Sequence, residues 1–573
     1  MPNLEKSVAD LFAPAFAAVA GAPVDPVVRR SQHADFQVDG ALPLARTLSR
    51  PPRDIAEDVI ARLGPAELIA SATVSGPGFI NVTIADAALG RLLATARADE
   101  RLGVAPVDDP ETVIVDYSGP NVAKELHVGH LRSTVIGDAC ARLLSWLGHD
   151  VIRVNHLGDW GTPFGMLIEH LLDLGEDAAA HELSVGDLDG FYQGARAKFD
   201  ADPAFAERSR QRVVSLQSGD PATLRLWRLL VAQSAAHFGA LYDTLGTQLT
   251  DADFVGESFY DPMLAPMMSE LDAAGLLRDS DGAKVVFPNG ITGRDGEPLP
   301  IIVRKRDGGF GYGATDLAAL RYRTLQLAAT RLLYVVGSPQ QRHFELVFQA
   351  ARDAGWLAPP ARAEHIGFGQ VLGADGRKLA SREGGAVKLA ELLSEAVERA
   401  ATIVAAKNPS LGTAHRAVIA HAVGIGAVKY ADLSSDRVKD YVFAWDRMLA
   451  TTGDTAAYLQ YTYARIRSIF RRGGVSPDAD ATIVVVDPAE HALALELLAF
   501  SAVVDEVAGT LRFHTLTGYL QGLAGAFTAF YDRCPVLRAD GGTRASRLAL
   551  CDLTARVLAQ GLDLLGISTP ERM

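Results

Sequence analysis

Cysteine is nearly absent from this chain: Cys140, Cys534 and Cys551 are the only three in 573 residues. Three scattered thiols cannot build a disulfide framework, and none sits beside the further Cys or His ligands a zinc site needs, so no metal site is expected. Such scarcity fits a reducing cytoplasm. Long apolar runs are also missing. Leu11–Val24 is broken by Pro14 and preceded by Glu5 and Asp10 rather than by a basic segment, which argues against an export signal. Ala417–Val428 carries His421 and two glycines and is too short to span a bilayer. The expectation is a soluble protein with no membrane partner.

A basic surplus is lacking as well. The 55 Lys and Arg against 69 Asp and Glu leave a net charge of −14, which excludes a nonspecific nucleic-acid coat. One nucleic acid can still be bound through a local basic face, because counterion release depends on the charges at the contact and not on the total. Repeats and low-complexity tracts are absent. The length allows roughly three to five domains and a core large enough to need no staples.

The first ~105 residues mix helical patterns with one strand signal, Gly76–Ile84. Turns at Pro106 and at Asp108-Asp109-Pro110 then mark a boundary. Beyond it Thr112–Tyr117 reads as a short buried strand. It is followed by the turn Ser118-Gly119-Pro120-Asn121, a helical pattern to about Leu147 and the strand Asp150–Asn155. A strand, a helix and a strand in ~45 residues make a βαβ unit and hence a parallel sheet. The pattern returns at Ile301–Lys305, a helix from Thr315, Leu332–Val336 and a helix from about Gln340. Residues 175–295 are helical and polar, and read as an insertion. From Val387 the periodicity is helical almost to the end. The expected fold is α/β: a doubly wound, Rossmann-like catalytic domain at 106–386 with that insertion, after an α+β domain at 1–105. A helical stem at 387–440 and an all-α domain at 441–573 complete the chain.

Three clusters carry chemistry. Pro120–His130 lies where a strand of a parallel sheet gives way to a helix, the place where such sheets bind ligands and where a helix N-terminus favours anions. His127 and His130 share a helical face, Gly129 lets a base or phosphate approach the backbone, and Lys124 adds a positive charge. That set suits polyphosphate handling, although an isolated His-x-Gly-His is common by chance. The second cluster, Gly373–Gly385, is a glycine-rich basic loop able to close over a triphosphate, or an ordinary solvated turn if it stands alone. The third is acidic and polar. Asp116, Tyr312, Asp316 and Gln340 lie near the expected C-terminal rim of the sheet, where two carboxylates with a phenol and an amide suit a planar cation. Taken singly, Asp316 is as readily a helix cap and Asp116 a strand-end turn.

Together these residues resemble the class I aminoacyl-tRNA synthetases. Pro120–His130 is similar to their HIGH motif, and Lys378–Arg382 sits where the KMSKS loop belongs. The likeness is closer to arginyl-tRNA synthetases. Ser118 through His130 has that family's Ser-x-Pro-Asn-x-x-Lys-x-x-His-x-Gly-His form, followed by Leu131-Arg132-Ser133-Thr134 and Leu157-Gly158-Asp159-Trp160-Gly161. Blocks at Gly426–Leu433, Tyr458–Tyr461 and Gly561–Ile567 are also similar, so the resemblance spans nearly the whole chain.

The resemblance implies ATP, accompanied by Mg²⁺, held by His127, Gly129 and His130 with Gly367, and L-arginine faced by Asp116, Ser118, Asn121, Tyr312, Asp316 and Gln340. It implies a tRNA(Arg) partner contacted by the N-terminal domain and by a helical anticodon-binding domain, where Arg465, Arg467, Arg471 and Arg472 run near Tyr458, Tyr461 and Tyr463. A monomer is implied on the same ground. The slot of the second KMSKS lysine is Ser381, so Lys124, Lys378 and Arg382 share the role of catalytic cation. Another class I synthetase, a non-catalytic tRNA-binding relative and a simple adenylyltransferase are the competing readings. The two pocket aspartates, the intact histidines and the helical C-terminal domain speak against each in turn.

Overall fold

The structure is a computed structural model that describes residues 3–161, 163–175, 188–306, 308–379, 387–407, 409–478 and 480–573. Two compact units emerge: Met1–Pro106 with Thr451–Asp563 and Ser568–Met573, and Val107–Ala450 with Leu564–Ile567. Among the described residues no helix is long and apolar enough to cross a membrane.

The second unit begins with β1 (Thr112–Asp116), α1 (Val128–Trp146), β2 (Asp150–Leu157) and α2 (Pro163–Leu174). Three helices follow, α3 (Leu188–Ala201), α4 (Pro203–Gln217) and α5 (Pro221–Leu245). Asp202 and Asp220 cap α4 and α5, each followed by a proline at the first helical position, where its missing N–H costs nothing. Next come β3 (Phe254–Gly256), α6 (Glu257–Ala273), β4 (Leu277–Ser280), β5 (Ala283–Val286) and β6 (Ile301–Arg304). The unit continues with α7 (Tyr312–Leu325), β7 (Arg331–Tyr334), α8 (Gln341–Asp353), β8 (Arg362–His365), α9 (Leu389–Lys407) and α10 (Thr413–Leu433).

Five strands form a parallel sheet in the order β8-β7-β1-β2-β3. The run Val113, Ile114, Val115 has no exposed surface, because helices cover both faces of β1. On one side Ile114, Val154 and Leu332 pack with Leu264 and Met267 of α6, Leu317 and Leu320 of α7, and Val347 of α8. On the other side α1 lies against β1 and β2. The chain leaves β1 toward β2 and β3 and then returns to β7 on the opposite flank. The order therefore reverses between β1 and β7, beside Asp116 and Tyr334.

The doubly wound α/β fold stands as expected, with one strand placed differently. β6 belongs to a separate antiparallel sheet, β6-β5-β4, and not to the parallel one. Its burial alternates, with Ile301 and Val303 inside and Ile302 half exposed, which is the signature of a sheet covered on one face. The parallel edge is supplied by β3, three residues in the stretch that reads as polar and helical.

In the first unit, Val28–Arg30, Phe36–Val38, Phe79–Ile84 and Ile69–Ser75 form an antiparallel sheet in that order. Gly78, at φ +144°, closes the last hairpin where a Cβ would come within 2.7 Å of the Pro52 carbonyl carbon. The helices Ala456–Gly473, Pro488–Leu498, Phe500–Thr510, Phe513–Arg533 and Gly541–Leu564 form the all-α part. His491 of that part contacts Asp35 and Asp86 of the N-terminal part, and Arg30 pairs with Glu496 at 3.0 Å.

Candidate active site

A cavity of about 470 Å³ opens at the reversal between β1 and β7. Its walls come from the end of β1 (Asp116, Ser118, Gly119), the start of α1 (His127 to His130), His156 of β2, Asp316 of α7 and the turn after β7 through Gln340. Phe368, Gln370 and Lys378 complete it. Ligands bind at such switch points because the connections on either side diverge there and leave a crevice.

The phosphate-type end is built from one helix terminus. His127 is the N-cap of α1, and its Nδ1 accepts the Gly129 N–H at 3.0 Å, while the His127 N–H donates to His130 Nδ1 at 3.1 Å. Both Nδ1 atoms are thus acceptors, which assigns the ring proton of each neutral imidazole to Nε2. Burial, and after it the nearby Lys378 charge, lowers His127. Burial and the adjacent His127 push His130 down to about 3. Two neutral rings 4.1 Å apart therefore offer N–H donors at the helix N-terminus without requiring two imidazolium charges side by side. Gly129 is demanded by the packing: a Cβ there would lie 2.7 Å from His127 Cε1.

The same terminus is tied to the chain beyond the basic loop. The Val128 N–H donates to the Val387 carbonyl at 2.9 Å, and the Leu389 N–H to the Leu126 carbonyl at 2.8 Å. Lys388 pairs with Glu125 at 3.0 Å. On the near side of the loop, the Leu379 N–H donates to Val371, which lines the cavity.

The acidic end holds a group not singled out from sequence. Arg323 of α7 has no exposed surface and pairs through Nη1 with Asp116 Oδ2 at 2.7 Å. Its Nη2 lies 3.5 Å from His156 Nδ1. Asp316 accepts from His343 Nε2 at 2.6 Å. Burial, with the charges of Asp316 and Asp159, pushes Glu257 at the start of α6 up to about 7. Ser118, at φ +73°, shares its hydroxyl with the Tyr242 hydroxyl at 2.6 Å and the Thr134 hydroxyl at 3.0 Å.

Residues 93–445 match the family model described as tRNA synthetases class I (R), catalytic domain. Residues 3–84 match the arginyl tRNA synthetase N terminal domain, and 459–573 the DALR anticodon binding domain. The arginine–tRNA ligase of Thermobifida fusca is 54% identical over 96% of this chain and 95% of its own length. That of Frankia casuarinae is 52% identical over the same shares. The chain belongs to the arginyl-tRNA synthetases. Solved structures of family members agree over the full length of both chains. The Plasmodium falciparum enzyme superposes with a TM-score of 0.85 and the Thermus thermophilus enzyme with 0.80, each at 28% identity.

Within this arginyl-tRNA synthetase the residues singled out from sequence fall into three groups. Asp116, Ser118, Asn121, His127, Gly129, His130, Asp316, Gln340 and Lys378 all line the cavity. Lys124, Tyr312 and Gly367 do not. The Lys124 ammonium sits over the Tyr192 ring at 4.4 Å, Tyr312 is 71% exposed with its ring edge-on to His343, and Gly367 is followed by the lining residues Phe368 to Gln370. Arg382, with Ala380 and Ser381, lies outside the described residues. His156, Phe368 and Arg323 were missed. Arg323 stands two helical turns from Asp316 on the same face of α7, but nothing in the sequence marks it as buried. The basic run of Ala456–Gly473 is largely engaged: Arg465 lies 4.2 Å over Tyr531, and Arg467 pairs with Glu571 at 3.4 Å.

Proposed function

We propose that this synthetase forms arginyl-adenylate in the cavity between β1 and β7 and passes the arginyl group to the 3′ adenosine of tRNA(Arg). The arginine carboxylate oxygen attacks the α-phosphorus of ATP, the bond to the β-phosphate bridging oxygen breaks, and pyrophosphate leaves. A ribose hydroxyl of the tRNA then attacks the adenylate carbonyl and AMP leaves. Neither step needs a covalent link to the protein, so catalysis is positioning and charge stabilisation.

The observation that carries this reading is the pair of neutral histidines that line the cavity at a helix N-terminus with their ring proton on Nε2. Donors fixed in this way stabilise charge that develops on phosphate oxygens without having to reorganise. Lys378 supplies a cation at the cavity, and Lys124 a second one that must leave the Tyr192 ring to reach ATP. Arg382 has the same role by family likeness. Mg²⁺ enters with the nucleotide, held by phosphates and water. Among the described residues no group of three or more His, Cys, Asp or Glu is disposed to hold a metal.

On the amino-acid side Asp316 and Gln340 take the guanidinium, with Tyr312 at the rim and Asp116, Ser118 and Asn121 shaping the floor. Domains 1–105 and 441–573 contact the tRNA, and 387–440 is the connecting stem. The working form is a cytoplasmic monomer. Aminoacylation of total tRNA with each labelled amino acid tests the whole reading. ATP-dependent charging by arginine alone is expected, and charging by another amino acid overturns the pocket. Asp316→Asn is expected to raise the arginine KM at least tenfold with little change for ATP; equal weakening of both would make Asp316 structural.

A further inference from the structure

We propose that Arg323 is a positioning residue for the amino acid, one that occupies Asp116 with the protein's own guanidinium so that the substrate's guanidinium is directed to Asp316. The inference rests on the reading of the cavity as an arginine site. Asp116 and Asp316 both line it, and from composition alone either carboxylate suits a planar cation. They are not equivalent in the fold. Asp116 is already bound at 2.7 Å by a guanidinium with no exposed surface.

Among the described residues Asp316 is held only by an imidazole edge, His343 Nε2 at 2.6 Å. Its side chain keeps 21% of its surface exposed, against 11% for Asp116. An incoming guanidinium therefore finds one carboxylate committed and one available.

Arg323 reaches a second cavity wall. Its Nη2 is a donor with no acceptor capacity, so His156 Nδ1 at 3.5 Å faces it as a lone pair and carries its proton on Nε2. His156 in turn is stacked on Tyr260 at 5.5 Å, and the Arg323 guanidinium lies 5.3 Å over the Tyr334 ring. One buried side chain thus fixes the direction of Asp116, the tautomer of His156 and the charge at the floor of the pocket. A buried ion pair is a weak source of net stability, yet removing one partner strands the other as an uncompensated charge. Without Arg323, Asp116 becomes a second, misplaced acceptor that competes for the substrate's cationic groups.

Arg323→Gln and Arg323→Lys test this by ATP–pyrophosphate exchange in the presence of tRNA, with KM measured separately for arginine and ATP. Arg323→Gln is expected to raise the arginine KM at least tenfold while the ATP KM stays within twofold. Lysine keeps a charge on Asp116 but cannot span to His156 as a planar fork does, so Arg323→Lys should raise the arginine KM about threefold to tenfold. Equal rises for both substrates, or an unchanged arginine KM in either variant, overturn the proposal. If the glutamine variant does not fold, the lysine variant decides alone on the same criterion. Absence of arginine-dependent exchange in the wild-type protein would instead refute the arginine reading itself.

Discussion

His491 offers a test of how the N-terminal and all-α parts of the first unit are held together. Its Nδ1 lies 2.6 Å from Asp86, and its Nε2 is 3.0 Å from both oxygens of Asp35. The Asp35 carboxylate also accepts the Ile84 N–H at 2.6 Å, so the imidazole is anchored to the N-terminal sheet. The hydrogen bond to Asp35, followed by that to Asp86, raises His491 to about 9 despite partial burial. A folded-state value above the unfolded one means that the stabilisation is complete below about pH 6.5 and is lost as pH rises through about 9. The rise from 6.5 to about 9 corresponds at most to ~3.4 kcal/mol. Asp86 is half exposed, and solvent screening reduces this to ~1–2 kcal/mol.

The assay is thermal unfolding of wild type and His491→Gln at pH 6.5 and at pH 10. Using the variant as reference cancels every other titrating group. At roughly 2–4 °C per kcal/mol for a unit of this size, the wild type should melt about 2–8 °C higher at pH 6.5. The gap should close at pH 10. A gap of equal size at both values would show that His491 acts by packing and not by charge.

Gly129→Ala places a Cβ 2.7 Å from His127 Cε1 and forces the ring off its cap, so adenylate formation is expected to fall ~10²-fold; a wild-type exchange rate would show that the ring's position is immaterial. Lys124→Ala is expected to cost ~10²-fold in the same assay. A loss under tenfold would leave Lys378, which lines the cavity, as the working cation. Gln340→Ala should raise the arginine KM while Gln341→Ala does not, because Gln341 donates to Glu345 at 3.0 Å away from the cavity. Equal effects would contradict the assignment of the two neighbours.

The βαβ start of the catalytic unit was legible to within a few residues because each element declared itself locally. β1 is a continuous apolar run bounded by turn residues, and α1 opens on a glycine-bearing cap and closes before Gly148. β3 was illegible for the opposite reason. Three residues at a sheet edge bury too little to impose a pattern, and only their pairing with Asn155–Leu157 identifies them. Ile301–Arg304 misled because an apolar stretch reads alike in a parallel core and in a one-sided sheet, until the exposure of Ile302 is known.

The site divides along the same line. Its histidine end is a single helix terminus, so His127, Gly129 and His130 fall within one short window of sequence. Its acidic end is assembled from β1, β2, α7 and the turn after β7, and no short window contains it. There the residue types could be guessed, two carboxylates and an amide, but not which carboxylate a buried guanidinium already holds. That depended on a side chain usually assigned to the surface. An arginine seven residues beyond Asp316 looks like an exposed helical position, and only three-dimensional packing turns it inward to meet Asp116. Motifs can thus identify the chemistry of such a pocket, while the allotment of charge within it requires the pairing of buried ions that are distant in the chain.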